Sequence, residues 1–448
     1  MKRVEGFSKA RLLLARRDSL ESFKASPEIA ARIRLTFGED LSPQEVVTRI
    51  ISDVRKRGDK SLFDYAKEID GVELDSLEVH RGEISAAYAM VDDELVAALK
   101  LSAKRIRDFH LACECSSGIE CLGECLWRRV QPLDRVGIYV PGGTAAYPST
   151  ALMTAIPAQV AGVGEVVMVS PPGRNGSVAA PVLVAADIVG VQHVFKVGGA
   201  QAIAALAYGT ESVPRVDKIC GPGNIFVTLA KKMVYGSVAI DGLEGPSEIV
   251  IVADETANPT LCAADLLAQA EHDPLASVVM ITTSSGLADR VEAEIRLQLP
   301  VLERRSVISQ AIDKGMIALV HDLDEAIELV NLFAPEHVSL MVSSASSLVP
   351  KIRHAGCIFV GEDSPVVLGD YVDGPSHVLP TGGSARFNSP LGVGDFLKSS
   401  NIAALDRATM QELARAAIAI ARAEGLGAHA QAMEKRLSGG QAEVNERG

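Results

Sequence analysis

A positive charge excess is missing from this chain of 448 residues: Lys and Arg number 44 against 57 Asp and Glu, a net charge of −13. Such a field repels phosphate backbones and anionic lipid, so nucleic acid is not an expected partner. Long apolar runs are missing too. The most apolar window, Ala151 to Ser170, contains Pro157, Gln159, Gly162, Gly164 and Glu165, and is predicted as helix, turn and strand rather than a membrane span. Near the start, only Leu12-Leu-Leu-Ala15 precedes Arg16-Arg17, too short for the apolar region of a secretory signal, so a cytoplasmic location is expected. The 7 cysteines are odd in number and unevenly spread, which suits reduced thiols better than a disulfide framework. Four of them, Cys113, Cys115, Cys121 and Cys125, are spaced C-x-C-x5-C-x3-C, unlike the C-x2-C pairs of a zinc knuckle. Free thiols or an adventitious disulfide are expected there, with a structural metal as the alternative. A good G-x-G-x-x-G fingerprint is also lacking, since Gly198-Gly-Ala-Gln201 and Gly221-Pro-Gly-Asn224 both depart from it.

What is present is ordinary globular composition, 48% hydrophobic and 23% charged, which excludes disorder as the working state. At roughly 150 residues per domain, the length suggests two to four domains. Residues 1–130 are charged and helix-patterned. Within them Ser42 is placed to cap, Pro43 to take the first helical position and Glu45 to complete a capping box. From Arg135 onward, short β-branched runs end in glycine and then turn helical, as at Val136 to Gly143, Val166 to Gly173, Val194 to Gln201 and Ile219 to Asn224. This alternation predicts a parallel sheet covered by helices. A second run of the same kind starts at Ile249, passes through a helix from Pro259 to about His272, and has strands at Ser277 to Thr282, Val338 to Val342 and Cys357 to Val360. After Pro390 the sheet texture stops. Met410 to Arg422 then reads as an amphipathic helix, an arm that docks elsewhere. The expected divisions are a mostly helical 1–130, α/β units at 131–246 and 247–388, and a helical arm at 389–448.

Several constellations could carry chemistry. Gly142-Gly143, Gly198-Gly199 and Gly221/Gly223 end predicted strands, where open α/β sheets bind ligands, although tight turns alone would also use glycine. Gln269 and His272 share a helix face at three-residue spacing, as a polar face or as two ligands of a metal needing about four. Glu336 and His337 sit at a helix-to-strand junction. There a neutral imidazole suits removal of an alcohol proton and a carboxylate suits activation of water. Asp370 and His377 occupy a Gly/Pro-rich loop, and Glu424 to His429 closes the last helical stretch. Together Gln269, His272, Asp370 and His429 offer two imidazoles and two oxygens, a set that favours zinc.

Eight motifs occur in one order: Arg135-Val-Gly-Ile-Tyr-Val-Pro-Gly-Gly143, Val197-Gly-Gly-Ala-Gln-Ala-Ile203, Gly221-Pro-Gly-Asn224, Gly245-Pro-Ser-Glu248, Asp265-Leu-Leu-Ala-Gln-Ala-Glu-His272, Ala334-Pro-Glu-His337, Gly374-Pro-Ser-His-Val-Leu-Pro-Thr-Gly382 and Glu424-Gly-Leu-Gly-Ala-His429. In this order they closely resemble the histidinol dehydrogenase family, over about residues 30 to 436. The resemblance implies an α/β fold of two tandem incomplete Rossmann-like units with an N-terminal helical region and a C-terminal helical arm. It implies oxidation of L-histidinol to L-histidine with two NAD, through an aldehyde that stays bound. It further implies one Zn2+ per chain on Gln269, His272, Asp370 and His429, with Glu336 activating water and His337 as general acid and base. The metal ligands, His337, Ser247, His377 and Glu424 would meet substrate, while Tyr139, Gln201 and Asn224 would meet NAD. The family's intertwined homodimer implies active sites shared between subunits. Two other readings stand beside it: a related zinc- and NAD-dependent dehydrogenase of another small alcohol such as a diol sulfonate, and a non-catalytic binding protein on the same fold. A sulfonate would want a cation in the pocket, whereas Glu424 favours an imidazole or ammonium group. The retention of Glu336, His337 and every ligand speaks against a binding protein.

Overall fold

The computed structural model describes residues 1–15, 27–113, 117–123, 125–142 and 145–438. Gly143 and Cys115, singled out above, lie outside them. The chain forms two compact units, one of Met1–Cys115 with Pro132–Phe396, the other of Ser116–Gln131 with Leu397–Gly448.

The first unit holds two parallel sheets. In one, the strands run in the order His193–Phe195, Glu165–Val169, Arg135–Tyr139, Lys218–Cys220, Ala239–Ile240. The strand of this sheet that comes first in the sequence is thus central, and the order reverses beside it, between Arg135–Tyr139 and Lys218–Cys220. The second sheet repeats this order with Glu248–Ala253 at its centre, followed outward by Ser277–Thr282 and Met316–Leu319 on one side and His337–Met341 and Cys357–Val360 on the other. Both central strands are buried along nearly their whole length, as expected of β-branched runs covered on both faces. The expected α/β fold is present.

The helical N-terminal segment is part of this unit. Ser42 and Glu45 form the capping box of helix Pro43–Arg57, whose Val46, Val47, Ile50 and Val54 pack with Ile203, Leu206, Val227 and Ala230 beneath the first sheet. Three strands depart from the helical reading of residues 1–130: Gly118–Gly123 and Leu126–Pro132, which belong to the second unit, and Lys2–Glu5. Lys2–Glu5 is a strand that pairs in parallel with Met316–Leu319 and extends the second sheet. Four residues with only Val4 buried carry too short an alternation to be recognised.

The second unit contains a three-stranded sheet, in the order Leu397–Ala403, Leu126–Pro132, Gly118–Gly123, and the helices Arg407–Ala423 and Gly427–Ser438. The expectation that strands cease after Pro390 is therefore corrected. Leu397–Ala403 is a mostly exposed strand of polar residues, without the β-branched pattern that marks the buried ones. Cys113, Cys121 and Cys125 are free thiols. Among the described residues, no helix is long and apolar enough to cross a membrane.

Candidate functional site

Within the first unit, the carboxyl edge of the first sheet is joined to the amino edge of the second by the segment 241–247, which leaves strand Ala239–Ile240 and enters strand Glu248–Ala253. Sequence-predicted residues gather on both sides of this segment.

On the first side lies the point where strand order reverses, the usual ligand crevice of an open α/β sheet. Tyr139 ends the central strand, is buried, and accepts the Gly199 N–H on its hydroxyl at 3.2 Å. Burial pushes its pKa up to about 12. Gly221 follows the neighbouring strand at φ +113°, and a Cβ there would stand 2.2 Å from the Tyr139 carbonyl, so only glycine fits. Asn224 caps helix Ile225–Val234, its Oδ1 accepting from the N–H groups of Phe226 and Val227 at 3.0 and 3.3 Å. Gln201 is buried in helix Gly199–Tyr208 with its Oε1 unpartnered.

On the second side, helix Leu323–Phe333 ends at Ala334, whose φ of 51° makes it the one non-glycine residue with positive φ among those described. Pro335 prevents the helix from resuming, so Glu336 and His337 enter the next strand with both side chains buried. Glu336 Oε2 accepts the Glu248 N–H at 2.8 Å. Its pKa nevertheless lies well above the carboxylate range, because burial penalises the charge and Glu248, Asp370 and Glu244 add repulsion. His337 Nδ1 lies 3.1 Å from the Glu248 carbonyl, which can only accept, so Nδ1 carries the proton and Nε2 offers its lone pair. That Nε2 lies 3.9 Å from Asp370 Oδ1. Burial, with His272 and His377 nearby, lowers the pKa of His337 to about 3 and keeps the ring neutral.

Asp370 belongs to helix Val366–Tyr371, and burial alone pushes its carboxyl to about 7. His377 holds this region by donating from Nδ1 to the Asp370 carbonyl at 2.8 Å, while its Nε2 meets the Thr150 hydroxyl at 3.2 Å. Helix Pro259–Ala270 stops two residues before His272. Gln269 is buried in its last turn with Nε2 unpartnered, and His272 turns part of its surface to solvent while packed protein lowers its pKa through desolvation. Ser247, immediately before Glu248, is partly buried and accepts the Ser277 N–H on its carbonyl.

Three helices, Pro259–Ala270, Leu323–Phe333 and Val366–Tyr371, end at this edge, so their partial negative charges join the carboxyl groups in favouring a cation. The Asp370 carboxyl, raised by burial, is a group that a bound cation would satisfy, and its oxygens with the His272 imidazole and the Gln269 amide oxygen are ligand types that fit zinc. Among the described residues no cluster of three or more His, Cys, Asp and Glu is arranged to hold a metal. Glu424 and His429 lie in the second compact unit, where both are exposed.

The sequence reading missed Glu248, whose main chain orients both Glu336 and His337 and whose side chain accepts the Gly382 N–H at 3.2 Å. Its place at the end of the Gly245-Pro-Ser-Glu248 motif was the available signal. It also missed Asp265, one turn before Gln269. This carboxyl is buried with Oδ2 unpartnered, and burial raises its pKa to about 6.

Comparison with known proteins shows the family. The family model for histidinol dehydrogenase matches residues 38–437. Histidinol dehydrogenase of Dehalococcoides mccartyi (strain CBDB1) is 49% identical over 447 residues, covering 98% of this chain and 100% of that protein. The enzyme of the same name from Halalkalibacterium halodurans is 50% identical over 406 residues, 90% of this chain and 96% of the relative. The crystal structure of histidinol dehydrogenase from Elizabethkingia anophelis superposes with a TM-score of 0.88 at 34% identity, covering 98% of each chain. With its own fold and nearly its whole length matched, the chain belongs to the histidinol dehydrogenase family, NAD-dependent oxidoreductases of histidine biosynthesis.

Proposed function

We propose that the chain oxidises L-histidinol to L-histidine in two NAD-dependent steps at one site, with Glu336 and His337 as its catalytic residues. The observation that carries this reading is the buried, neutral His337, fixed by Glu248 with its free Nε2 facing Asp370 and with Glu336 beside it. In the first step, His337 Nε2 takes the hydroxyl proton as the carbinol hydride leaves for NAD, giving the aldehyde. In the second, Glu336 in its ionised form would accept a proton from the water that adds to the aldehyde, and a second NAD, when bound, would take the hydride of the hydrate. Burial of both groups excludes competing water, which suits an aldehyde that must not escape.

Gln269, His272 and Asp370, completed by His429, are the residues that would hold zinc. When bound, it would fix the substrate's amino and imidazole nitrogens and so orient the carbinol toward His337. Ser247 and Glu424 would contact the substrate, as would His377 at the edge of the Asp370 loop. Tyr139, Gln201 and Asn224 would contact NAD at the point where strand order reverses. Glu424 and His429 would come from the second subunit of a homodimer. The exposure of both residues in the chain supports this, as does the lack of a complete His/Cys/Asp/Glu cluster among the described residues. The acidic surroundings, with three helix carboxyl ends, favour an imidazole and ammonium over a sulfonate.

The test combines stoichiometry with metal content. Purified protein should form two NADH per histidine and hold about one zinc per chain. His272→Asn should lose metal and turnover together. Full turnover by metal-free protein would sink the metal assignment, and release of free aldehyde as the main product would sink the single site.

A further inference from the structure

Outside the residues assigned above, one buried cluster has a geometry that packing alone does not require. Lys231, in helix Ile225–Val234, is 1% exposed, and its ammonium makes three bonds. It meets Asp241 Oδ1 at 2.5 Å, Glu244 Oε2 at 2.6 Å and the Gly221 carbonyl at 3.0 Å. All three protons of the ammonium are thereby used. Asp241 in turn accepts the Gly221 N–H on Oδ2 at 2.6 Å and the Gly242 N–H on Oδ1 at 2.8 Å. The main chain of Gly221 is therefore held at both ends, its N–H by Asp241 and its carbonyl by Lys231.

That glycine presses against the Tyr139 carbonyl at the crevice of the first sheet and leads directly into Asn224. The other end of the cluster grips the segment that leads into strand Glu248–Ala253. The Glu244 carbonyl accepts the Thr228 hydroxyl at 3.0 Å, and the next residue, Gly245, donates its N–H to Thr381 Oγ1 at 2.6 Å. Four residues beyond Glu244, the Glu248 main chain holds Glu336 and His337. Burying a lysine is costly, and a well-packed apolar side chain would generally serve stability as well or better. Here the charge stays on Lys231 despite burial because Asp241 and Glu244 both face it, while burial and Asp241 push Glu244 up to about 7.

We propose that Lys231, Asp241 and Glu244 form a clamp of positioning residues that fixes the Gly221 turn, and with it Asn224, for NAD and ties that turn to strand Glu248–Ala253, whose first residue holds the catalytic pair. This rests on the assignment of Tyr139, Gln201 and Asn224 to the dinucleotide. A preset turn lowers the conformational cost of binding NAD, so loosening it is read in NAD affinity before substrate affinity.

The test is direct NAD binding by calorimetry together with KM values for both substrates. Asp241→Asn keeps the shape and leaves Lys231 paired with Glu244, but its NH2 group must oppose either the Gly221 N–H or the ammonium. The NAD Kd and KM should rise about tenfold or more, with the L-histidinol KM within about twofold of the parent value. Lys231→Met combined with Asp241→Asn leaves only Glu244, which can protonate, and should act the same way if the single variant folds poorly. Asn224→Ala separates the two readings. If it weakens NAD and the clamp variants do not, the clamp is overturned and the dinucleotide site stands. If it leaves NAD binding unchanged, the site assignment fails, and the clamp with it. Equal loss of NAD and histidinol affinity in the clamp variants would overturn positioning in favour of a general structural role.

Discussion

Replacing Glu336 by glutamine should separate the two oxidations, because the amide keeps the shape of the carboxyl while losing its ability to take a proton. The Gln side chain retains the bond to the Glu248 N–H by presenting its oxygen where Glu336 Oε2 now accepts at 2.8 Å. The opposite orientation would set donor against donor and is disfavoured by about 1–3 kcal/mol. The backbone of Glu336, and with it the neighbouring His337, should therefore stay in place. General acid–base catalysis is worth roughly 10²–10⁴-fold, or about 2.7–5.4 kcal/mol of barrier. Aldehyde oxidation should fall by that factor. Alcohol oxidation, which relies on His337 Nε2, should fall by less than about tenfold. Stability should move the other way. The carboxyl has its folded pKa raised by burial, so the parent loses stability as pH rises through that value, whereas the amide does not titrate. The variant should be the more stable protein, by a margin that widens with pH. The assay supplies L-histidinaldehyde or L-histidinol in single turnovers and follows NADH, alongside denaturant unfolding at two pH values. Equal losses in both half-reactions, or an undiminished aldehyde step, would refute the division of labour.

Two further expectations concern groups away from the reacting atoms. Asp70 is raised to about 6 by burial, with Arg32 opposing, so its cost is absent below about pH 4 and full above about pH 7. Asp70→Asn should stabilise the protein by about 1–2 kcal/mol at pH 8, a shift of two pKa units discounted for residual solvent and for the amide's own bonding needs, and by much less at pH 4.5. A difference that is flat with pH would contradict this. Ala334, held at φ 51° just before the catalytic pair, should gain about 1 kcal/mol on replacement by glycine, measured by denaturant unfolding. A loss of stability would show that the strain is not there.

The parts of this molecule legible in the sequence were those written in local chemistry. Glycines after β-branched runs marked the first sheet, and Asn258-Pro259 at one end with Asp273-Pro274 at the other bracketed the helix that carries Gln269. Ala334-Pro-Glu-His337 announced a junction, and the junction is where the strained alanine sits. Other features depend on the tertiary arrangement. The second sheet offers its amino edge to the site, whereas glycine turns direct attention to carboxyl edges. Lys231 and Asp241 lie ten residues apart and look like ordinary surface charges until the fold buries them together. Glu248 works chiefly through its peptide group, which no side-chain pattern reports. The strands Lys2–Glu5 and Leu397–Ala403 are short or polar, and long-range pairing rather than propensity makes them strands.

The central claim, one active site assembled from two subunits, is tested most directly by complementation. His337→Ala and His429→Ala should each be inactive alone. Unfolded and refolded together in equal amounts, they should form mixed dimers in about half of the population, each with one site carrying both defects and one carrying neither. Roughly a quarter of the parent activity should return. If each site is instead built within one chain, every subunit of the mixed dimer still carries a defect, and no activity returns although mixed dimers form; that result would contradict the shared site.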